Sequence, residues 1–266
     1  MIHYKSNEEI ELMRISSLMV SKTHVALVPF IKPGVTLKSI DIVAEEFIKD
    51  NGGYPAFLGY NGFPGSLCMS VNEEVVHGIP TNREVKEGDL LSIDCGVKLN
   101  GYFGDSAFTF PVCVKDQSHL KLLKVTIESL QKGIEQVKVG NRVGDIGYAI
   151  QNHTEKLNGY GVVRELVGHG IGKNLHESPD IPNYGKRGNG LRLIAGMVIA
   201  IEPMINLGTS KVKQLNDGWT IVTVDGKPSA HFEHTVALTQ NGYEVLSNHE
   251  LIFKELKNNE YISDFQ

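Results

Sequence analysis

Apolar and polar positions near the start of the chain repeat with a helical period. Leu12, Ile15 and Met19 recur at steps of three and four. A capping-box pattern at Ser6–Glu9 precedes them, so we expect an amphipathic helix that ends near Pro29. The same spacing begins again 108 residues after Leu12, in a run of apolar positions formed by Leu120, Leu123, Ile127, Leu130 and Ile134.

The likeness between these two parts of the chain continues beyond the first helices. Residues 31–54 line up with residues 137–160, and residues 88–94 line up with residues 196–202. Both copies of the strand-like segment end in a carboxylate. The repeat predicts a pseudo-two-fold α+β domain. The match is weak outside these segments, and the alternative is a chance similarity between two amphipathic helices.

No Pro-rich linker, low-complexity tract or shift in composition separates the two parts. With 41% hydrophobic and 21% charged residues, the chain has the composition of a folded protein. We therefore expect residues 1–266 to form a single domain around one core, made of two similar halves at about 6–112 and 113–248.

Two β-rich runs flank Asn100–Gly101, which is a strong signal for a tight hairpin. With these two residues in the turn, Asp94 lies opposite Ala107, and Asp105 is a diagonal neighbour of Asp94 on the same face. Both carboxylates can then reach one metal centre. The alternative is a pair of solvent-exposed aspartates.

Two further carboxylates lie in strand-like segments. Glu202 interrupts the apolar run 198–205, and a buried glutamate must be paired or bind metal, so a core salt bridge is the alternative. Glu233 lies in the segment 231–238, where it alternates with Phe232 and His234. Taken alone, Glu233 reads as a surface residue.

Histidines next to glycines form the third group of candidates. His169 and His176 stand seven residues apart in a glycine-rich segment, whereas two zinc ligands on one helix stand four apart, so we expect a loop to present them. His77 directly precedes Gly78. Each histidine alone is more typical of a structural role, but together with four carboxylates they indicate a site.

Charge and cysteine content narrow the function classes. A net charge of -5 gives no reason to expect binding to nucleic acid or to an anionic membrane. The three cysteines lack CxxC spacing, which argues against a disulfide framework and against a cysteine zinc site. The first twelve residues are too charged for a secretory signal, and no apolar run is long enough for a membrane span. These features predict a cytoplasmic protein.

Four carboxylates and one imidazole form a mostly hard donor set, which suits Mn, Fe(II) or Co and allows Zn. Four carboxylates balance the charge of two divalent ions. Two such ions can activate a water and polarise a carbonyl, as amide hydrolysis at neutral pH requires.

The complete set resembles the metal-binding signature of the type I, bacterial-type methionine aminopeptidases, which are pita-bread metallopeptidases. The resemblance runs from Asn7 to about Asn248. It includes the motifs Val76-His-Gly-Ile-Pro80, Ser92-Ile-Asp94, Gly104-Asp105, Gly168-His-Gly-Ile-Gly172, His176-Glu177, Ile201-Glu-Pro203 and Glu233-His-Thr235. It implies a curved antiparallel sheet with helices on its outer face.

The resemblance also implies roles for individual residues. The expected ligands of two divalent ions (Co, Mn, Fe(II) or Zn) are Asp94, Asp105, His169, Glu202 and Glu233, with Asp105 and Glu233 as bridging ligands. Glu202 would also act as the base, His176 would bind the scissile carbonyl, and His77 would contact the scissile nitrogen. The expected methionine pocket consists of Phe57, Tyr60, Phe63, Cys68, Leu175 and Trp219. Phe57 and Leu175 depart from the Cys and Phe that are usual in the family, and Phe63 and Trp219 could equally be plain core.

The implied activity is removal of the initiator methionine from nascent chains whose second residue is small. The resemblance further suggests a monomer and allows a transient contact with the ribosome. The first alternative is a prolidase or X-Pro aminopeptidase of the same fold, although those enzymes usually carry a separate amino-terminal domain. The second is a non-catalytic binding protein on this scaffold, which would be expected to have lost metal ligands.

Overall fold

The structure is a computed structural model that describes residues 2–265. Its α-helices are α1 (Asn7–Leu27), α2 (Leu37–Asp50), α3 (Gln117–Ile134), α4 (Val143–Gln151) and α5 (His249–Leu256). Its strands are β1 (Tyr54–Pro55), β2 (Cys68–Val71), β3 (Glu74–Val76), β4 (Leu90–Leu99), β5 (Tyr102–Pro111), β6 (Gly161–Val162), β7 (Gly168–Gly170), β8 (Glu177–Ile181), β9 (Val198–Ile201), β10 (Met204–Asn206), β11 (Val212–Gln214), β12 (Ile221–Thr223), β13 (Ser229–His231), β14 (His234–Thr239) and β15 (Gly242–Val245). Short helical turns at Val28–Phe30, Tyr60–Gly62 and Asn152–Lys156 complete the regular structure. The predicted α+β class is confirmed.

The two predicted amphipathic helices are α1 and α3. The Ser6 side chain accepts a hydrogen bond from the Glu9 N–H, and the Glu9 carboxylate accepts one from the Ser6 N–H, so the capping box is formed. Helix α1 ends at Leu27, and a turn that contains Pro29 follows it. None of the helices within residues 2–265 is both long and apolar enough to span a membrane.

Glycines at equivalent positions of the two halves share one backbone conformation. Gly34 and Gly140 have φ angles of +85° and +94°, and Gly88 and Gly196 have φ angles of +93° and +92°. This left-handed region favours glycine because it has no Cβ. Each half thus turns the chain in the same way before its second helix and before a central strand, β4 in the first half and β9 in the second, which supports our proposal of two similar halves in one domain.

All the strand pairs are antiparallel, and two sheets carry most of the site. One contains β1, β4 and β2 in that order, with β5 paired to the long strand β4. The other has the order β15-β14-β9-β7-β8, and the smaller sheets have the orders β13-β10-β6 and β11-β12-β3. Helix α1 packs across β4 and β5, whereas α3 packs on β9, β10 and β13. The core between helices and strands includes fully buried Phe108, Phe110 and Phe232.

The hairpin forms in the predicted register. Asn100 and Gly101 have φ angles of +53° and +83°, as a two-residue type I′ turn requires. Leu99 pairs with Tyr102, and Asp94 pairs with Ala107. Asp94 and Asp105 therefore share one face of the β4–β5 ribbon.

The strand predicted at 198–205 is interrupted. Strand β9 pairs with β14, with Ile201 opposite His234, whereas β10 pairs with β13, with Met204 opposite His231. The chain leaves one sheet and enters the next at Glu202–Pro203, and it returns at Phe232–Glu233 in the segment 231–238, which we also expected to be continuous. The pairings on the two sides of the breaks follow one register. When this register is extended across the breaks, Glu202 lies opposite Glu233.

Candidate metal centre

Five polar side chains converge from the β4–β5 ribbon, from β7 and from the two strand breaks. The Nε2 atom of His169 lies 3.6 Å from Glu202 Oε1 and 4.0 Å from Asp105 Oδ2. Ligand atoms of Asp105, His169 and Glu233 all lie within 4.8 Å of one another. Asp94 and Glu202 line the same cavity. Distances of this size leave room for cations between the side chains.

Burial distinguishes these carboxylates from surface acids. Asp105 and Glu233 are only 3% and 2% exposed, so the interpretation of Glu233 alone as a surface residue is wrong, and Asp105 is not a solvent-exposed aspartate. Within residues 2–265, Asp94 Oδ1, Asp105 Oδ1 and Glu233 Oε1 are buried without a hydrogen-bond partner. Buried oxygens of this kind need a partner. A divalent cation would supply one.

The pKa values show the cost of placing four carboxylates together without a cation. Burial raises the pKa of Asp94 to about 7 and that of Glu202 to about 8. Burial, followed by repulsion from the neighbouring carboxylates, raises the pKa values of Asp105 and Glu233 well above their ordinary range. Because Glu202 stands opposite Glu233, their negative charges repel each other across the strand break. The donor set and its charge therefore fit a metal.

His169 is prepared to act as a neutral ligand. Its Nδ1 atom lies 2.8 Å from the carbonyl oxygen of Gly170, so Nδ1–H donates to that carbonyl and the Nε2 lone pair is free. Burial lowers the pKa of His169 to about 4, which keeps the ring neutral. A hydrogen bond of this kind fixes the tautomer that metal binding requires.

The expectation that a loop presents both histidines is wrong for His169, which lies in the short strand β7. A Cβ atom added to Gly168 would lie 2.4 Å from the Ala200 carbonyl oxygen, and one added to Gly170 would lie 2.4 Å from that of Ser178. Glycines are therefore needed where β7 passes between β8 and β9. His176 does lie outside the strands, in the bend just before β8.

His176 and His77 complete the polar wall of the cavity. The Oη atom of Tyr60 lies 2.8 Å from His176 Nδ1, and the rings of His176 and His169 meet edge to face at 4.3 Å. Burial lowers the pKa of His176 and lowers that of His77 to about 4. His77 has a φ angle of +59°, an uncommon conformation for a residue with a side chain. Both rings are thus neutral and turned to the same cavity.

Every predicted site residue lines one cavity of about 220 Å³. Its apolar wall consists of Phe57, Tyr60, Phe63, Cys68, Leu175 and Trp219. Phe63 and Trp219 meet edge to face at 5.1 Å. Asn61, which was not among the predicted residues, also lines this cavity. A second cavity of about 470 Å³ shares His77, His169, His176 and Glu202 with the first and extends past Leu166 and Met204.

His231 is a further polar residue beside the site that was not among the residues predicted from the sequence. Its side chain is buried, and its Nε2 atom lies 3.5 Å from Glu202 Oε2 without a hydrogen-bond partner among the described residues. Alternation along the segment 231–238, which we expected to be one strand, could have indicated it, because His231 precedes Glu233 by two residues.

Metallopeptidase family M24 matches residues 11–240 of the chain. Methionine aminopeptidase 1 of Bacillus subtilis is 53% identical over 247 residues, which are 93% of this chain and 99% of the relative. The methionine aminopeptidase of Clostridium perfringens is 51% identical over the same shares of the two chains.

Solved structures show the same likeness. The crystal structure of methionine aminopeptidase from Rickettsia prowazekii superposes with a TM-score of 0.91 at 40% identity and covers 93% of this chain and 100% of its own. Prolidase from Pyrococcus furiosus superposes with a TM-score of 0.73 at 22% identity, with 92% of this chain and 65% of its own covered, so it shares the fold. These neighbours confirm the predicted pita-bread fold.

Proposed function

Because the chain belongs to metallopeptidase family M24, we propose that it removes amino-terminal methionine from peptides and nascent proteins whose second residue is small. The observation that carries this proposal is one cavity with two kinds of wall. Buried, mutually repelling carboxylates and neutral histidines line part of it, and aromatic and apolar side chains line the rest. The names of relatives up to 53% identical over 93% of the chain agree with this activity.

The proposed cofactor is a pair of divalent ions. Their ligands would be Asp94, Asp105, His169, Glu202 and Glu233, with Asp105 and Glu233 shared between the ions. The unpartnered oxygens and the free Nε2 atom of His169 support this set. When bound, the ions would supply Lewis acidity and lower the pKa of water. An oxygen-rich set with one imidazole accepts Co, Mn, Fe(II) or Zn.

Three side chains beside the proposed ions would act directly on the attacking water and on the scissile amide. Glu202 would take the proton of the attacking water and pass it to the leaving amine, because bound cations would favour the ionised carboxylate, which is the form that accepts a proton. His176 donates a hydrogen bond to the scissile carbonyl oxygen, where negative charge develops. His77 contacts the scissile nitrogen.

The apolar wall receives the methionine side chain. A thioether packs well against the edges of Phe57, Phe63 and Trp219, and Leu175 completes a pocket without a charged group. Cys68 is buried, and its pKa is raised well above its ordinary value by burial, so it acts as a small apolar side chain. The rest of the peptide would leave through the second cavity, past Leu166 and Met204.

We further propose that the protein acts as a monomer on nascent chains in the cytoplasm, in transient contact with the ribosome. This part of the proposal rests on the substrate, because initiator methionine is removed as chains emerge. Co-sedimentation with translating and with empty ribosomes would test the ribosome contact.

A tripeptide panel tests the activity. Protein dialysed against a chelator should cleave Met-Ala-Ser after addition of Mn, Co or Fe(II), whereas Met-Leu-Ser and Leu-Ala-Ser should react at least about 100-fold more slowly in kcat/KM, which is about 2.7 kcal/mol. Metal analysis of the same samples should give two ions per chain. Release of a residue that precedes proline, with Met-Ala-Ser untouched, would instead indicate a prolidase-type enzyme.

A further inference from the structure

The carboxyl-terminal segment packs behind the candidate metal centre. This segment, α5 and the tail at 257–265, lies beyond residue 240, where the match to metallopeptidase family M24 ends. The Phe265 ring centroid lies 6.2 Å from that of Phe108 and 6.0 Å from that of Phe232. Since Phe232 directly precedes the proposed ligand Glu233, the carboxyl-terminal segment supports the strand break that carries this ligand.

Backbone hydrogen bonds fix the tail against the end of the hairpin. The Cys113 N–H donates to the Tyr261 carbonyl at 2.7 Å, and the Ser263 N–H donates to the Pro111 carbonyl at 2.9 Å. The Asn259 side chain donates to two carbonyls after α1. The position of α5 is thus determined by contacts at both of its ends, since Asn248 N–H also donates to Ser21 Oγ.

His249, the first residue of α5, lies beside the two segments that carry the proposed ligands Asp105 and Glu233. Its Nε2 atom lies 3.1 Å from Ser106 Oγ, and the Ser106 hydroxyl donates to the backbone carbonyl of Glu233 at 2.7 Å. Ser106 directly follows Asp105. A hydroxyl has one proton, and Ser106 gives it to Glu233, so the neutral His249 ring must donate its Nε2 proton to Ser106.

The two hydrogen bonds, from His249 to Ser106 and from Ser106 to Glu233, replace a missing strand contact. Strand β13 ends at His231 and β14 begins at His234, so Glu233 stands between two ladders. Its N–H donates to the Ala107 carbonyl at 3.0 Å, and its carbonyl accepts from Ser106. The side chains of Ser106 and His249 therefore hold the side of Glu233 that the sheet leaves free.

We propose that His249 is a positioning residue for the metal centre, which through Ser106 holds Glu233 in the place that metal binding requires. The inference rests on the proposed function, because it takes Glu233 as a metal ligand. Groups that orient ligands in this way change metal affinity when they are removed.

A matched set of variants separates positioning from packing. His249→Phe keeps a ring against Phe108, whose centroid lies 5.2 Å away, but it has no N–H to donate. His249→Gln restores a donor, and Ser106→Ala removes the hydroxyl that links His249 to Glu233. Phe253→Leu is the control, because Phe253 packs on Phe108 at 5.2 Å in the same helix and makes no hydrogen bond to Ser106.

The readout is the Mn²⁺ dissociation constant, measured from the electron paramagnetic resonance signal of the free ion. Thermal unfolding of the metal-free proteins is measured beside it. His249→Phe and Ser106→Ala should each bind Mn²⁺ about 10-fold more weakly, and His249→Gln should recover part of this loss. The double variant that combines His249→Phe with Ser106→Ala should bind no more weakly than either single variant, because both substitutions break the same chain of hydrogen bonds. Phe253→Leu should lower the Tm without changing the dissociation constant.

Wild-type affinity in His249→Phe and Ser106→Ala would overturn the inference. So would a loss of affinity that follows the Tm in the same way as for Phe253→Leu, or losses that add in the double variant. If the unaltered protein binds Mn²⁺ and cleaves Met-Ala-Ser, such a result leaves the proposed function standing. If the unaltered protein binds no Mn²⁺, the proposed centre fails and this inference fails with it.

Discussion

The tautomer of His176 depends on the hydroxyl of a neighbouring tyrosine. Tyr60 Oη lies 2.8 Å from His176 Nδ1, and partial burial keeps the imidazole neutral by lowering its pKa. If Tyr60 donates to Nδ1, the only proton of the ring is on Nε2, where it is available to a substrate carbonyl. A residue that we placed in the methionine pocket therefore also sets the donor that the proposed reaction needs.

Tyr60→Phe should lower kcat for Met-Ala-Ser about tenfold, which is about 1.4 kcal/mol, with little change in KM. The reason is that a carbonyl gains negative charge mainly in the transition state, where a well-oriented donor has its largest effect. Steady-state kinetics at saturating metal would measure the change.

Tyr54→Phe is the matched control, because Tyr54 is 52% exposed and does not line the cavity. It should behave like the unaltered enzyme. A Tyr60→Phe variant in which only KM rises would show that Tyr60 serves the pocket alone.

Individual residues could be predicted where a local rule applies to them. The Asn100–Gly101 turn determines the register that brings Asp94 and Asp105 to one face, and that register is the observed one. The exposure of Glu233 could not be judged from its neighbours, since the side chains that bury it come from distant parts of the chain. The link from Ser106 to His249 joins residues 143 positions apart, and no spacing rule detects it.

At the scale of elements, the approach of α1 to the hairpin depends on one glycine. A Cβ atom added to Gly104 would lie 2.4 Å from the backbone nitrogen of Ser17. The helix thus packs directly on the strand that carries the next residue, Asp105. This contact connects the position of an entire helix to that of a proposed bridging ligand.

Gly104→Ala should destabilise the protein by about 2–3 kcal/mol, because backbone atoms cannot yield as a flexible side chain can. It should also weaken Mn²⁺ binding, since a displaced β5 carries Asp105 with it. Urea unfolding and metal titration would measure the two effects.

Gly140→Ala supplies the comparison. Gly140 has a φ angle of +94° and nothing within 4 Å of an added Cβ, so only backbone strain of about 1 kcal/mol is expected, without an effect on metal binding. Unchanged stability in Gly104→Ala would show that α1 can move away from the hairpin at little cost.

Elements were predictable where their periodicity is regular, as for α1 and α3, and not where a strand changes sheet. Pro203 carried a signal for the break after Glu202, because proline cannot donate to a ladder. The break at Phe232–Glu233 has no such marker. It lies opposite the break at Glu202–Pro203, and this pairing exists only in the folded sheets.

At the scale of the whole molecule, the buried carboxyls of the proposed metal site lower the stability of the metal-free protein when they ionise. The pKa of Glu202 is raised to about 8 and that of Asp94 to about 7. A carboxyl whose pKa is raised on folding binds its proton more tightly in the folded state, so its contribution is lost as the pH rises through the raised value. The buried histidines act in the opposite direction, mainly up to the pH at which the unfolded imidazole has lost its proton, about one unit above its pKa near 6.5.

The free energy of unfolding of the metal-free protein should therefore fall by about 2 kcal/mol between pH 6.5 and 8.5. Saturating Mn²⁺ should remove this fall, because cations replace the protons. Urea unfolding across this pH range, with and without metal, would measure it.

Glu202→Gln should flatten the pH dependence of the metal-free form and abolish turnover. It separates this carboxylate from the other titrating groups. A metal-free protein that is equally stable at both ends of the range would mean that these acids are already neutralised by groups within the protein.

The sheet order could not be predicted from the sequence, because it depends on which strands meet over long distances. The repeat indicated two matching halves but did not show that β9 pairs with β14 in one sheet while β10 pairs with β13 in another. The support from the carboxyl-terminal segment lay outside the motifs of the family resemblance, which ends near Asn248.

The edge-to-face contact of Trp219 with Phe63 has a practical consequence. Trp219 is the single tryptophan of the chain, and it stands on the cavity wall. Its indole emission is therefore a built-in optical reporter: a ligand that displaces solvent from this ring should shift or quench the fluorescence. Occupancy of the pocket could then be followed in real time, without a label and before any bond is broken.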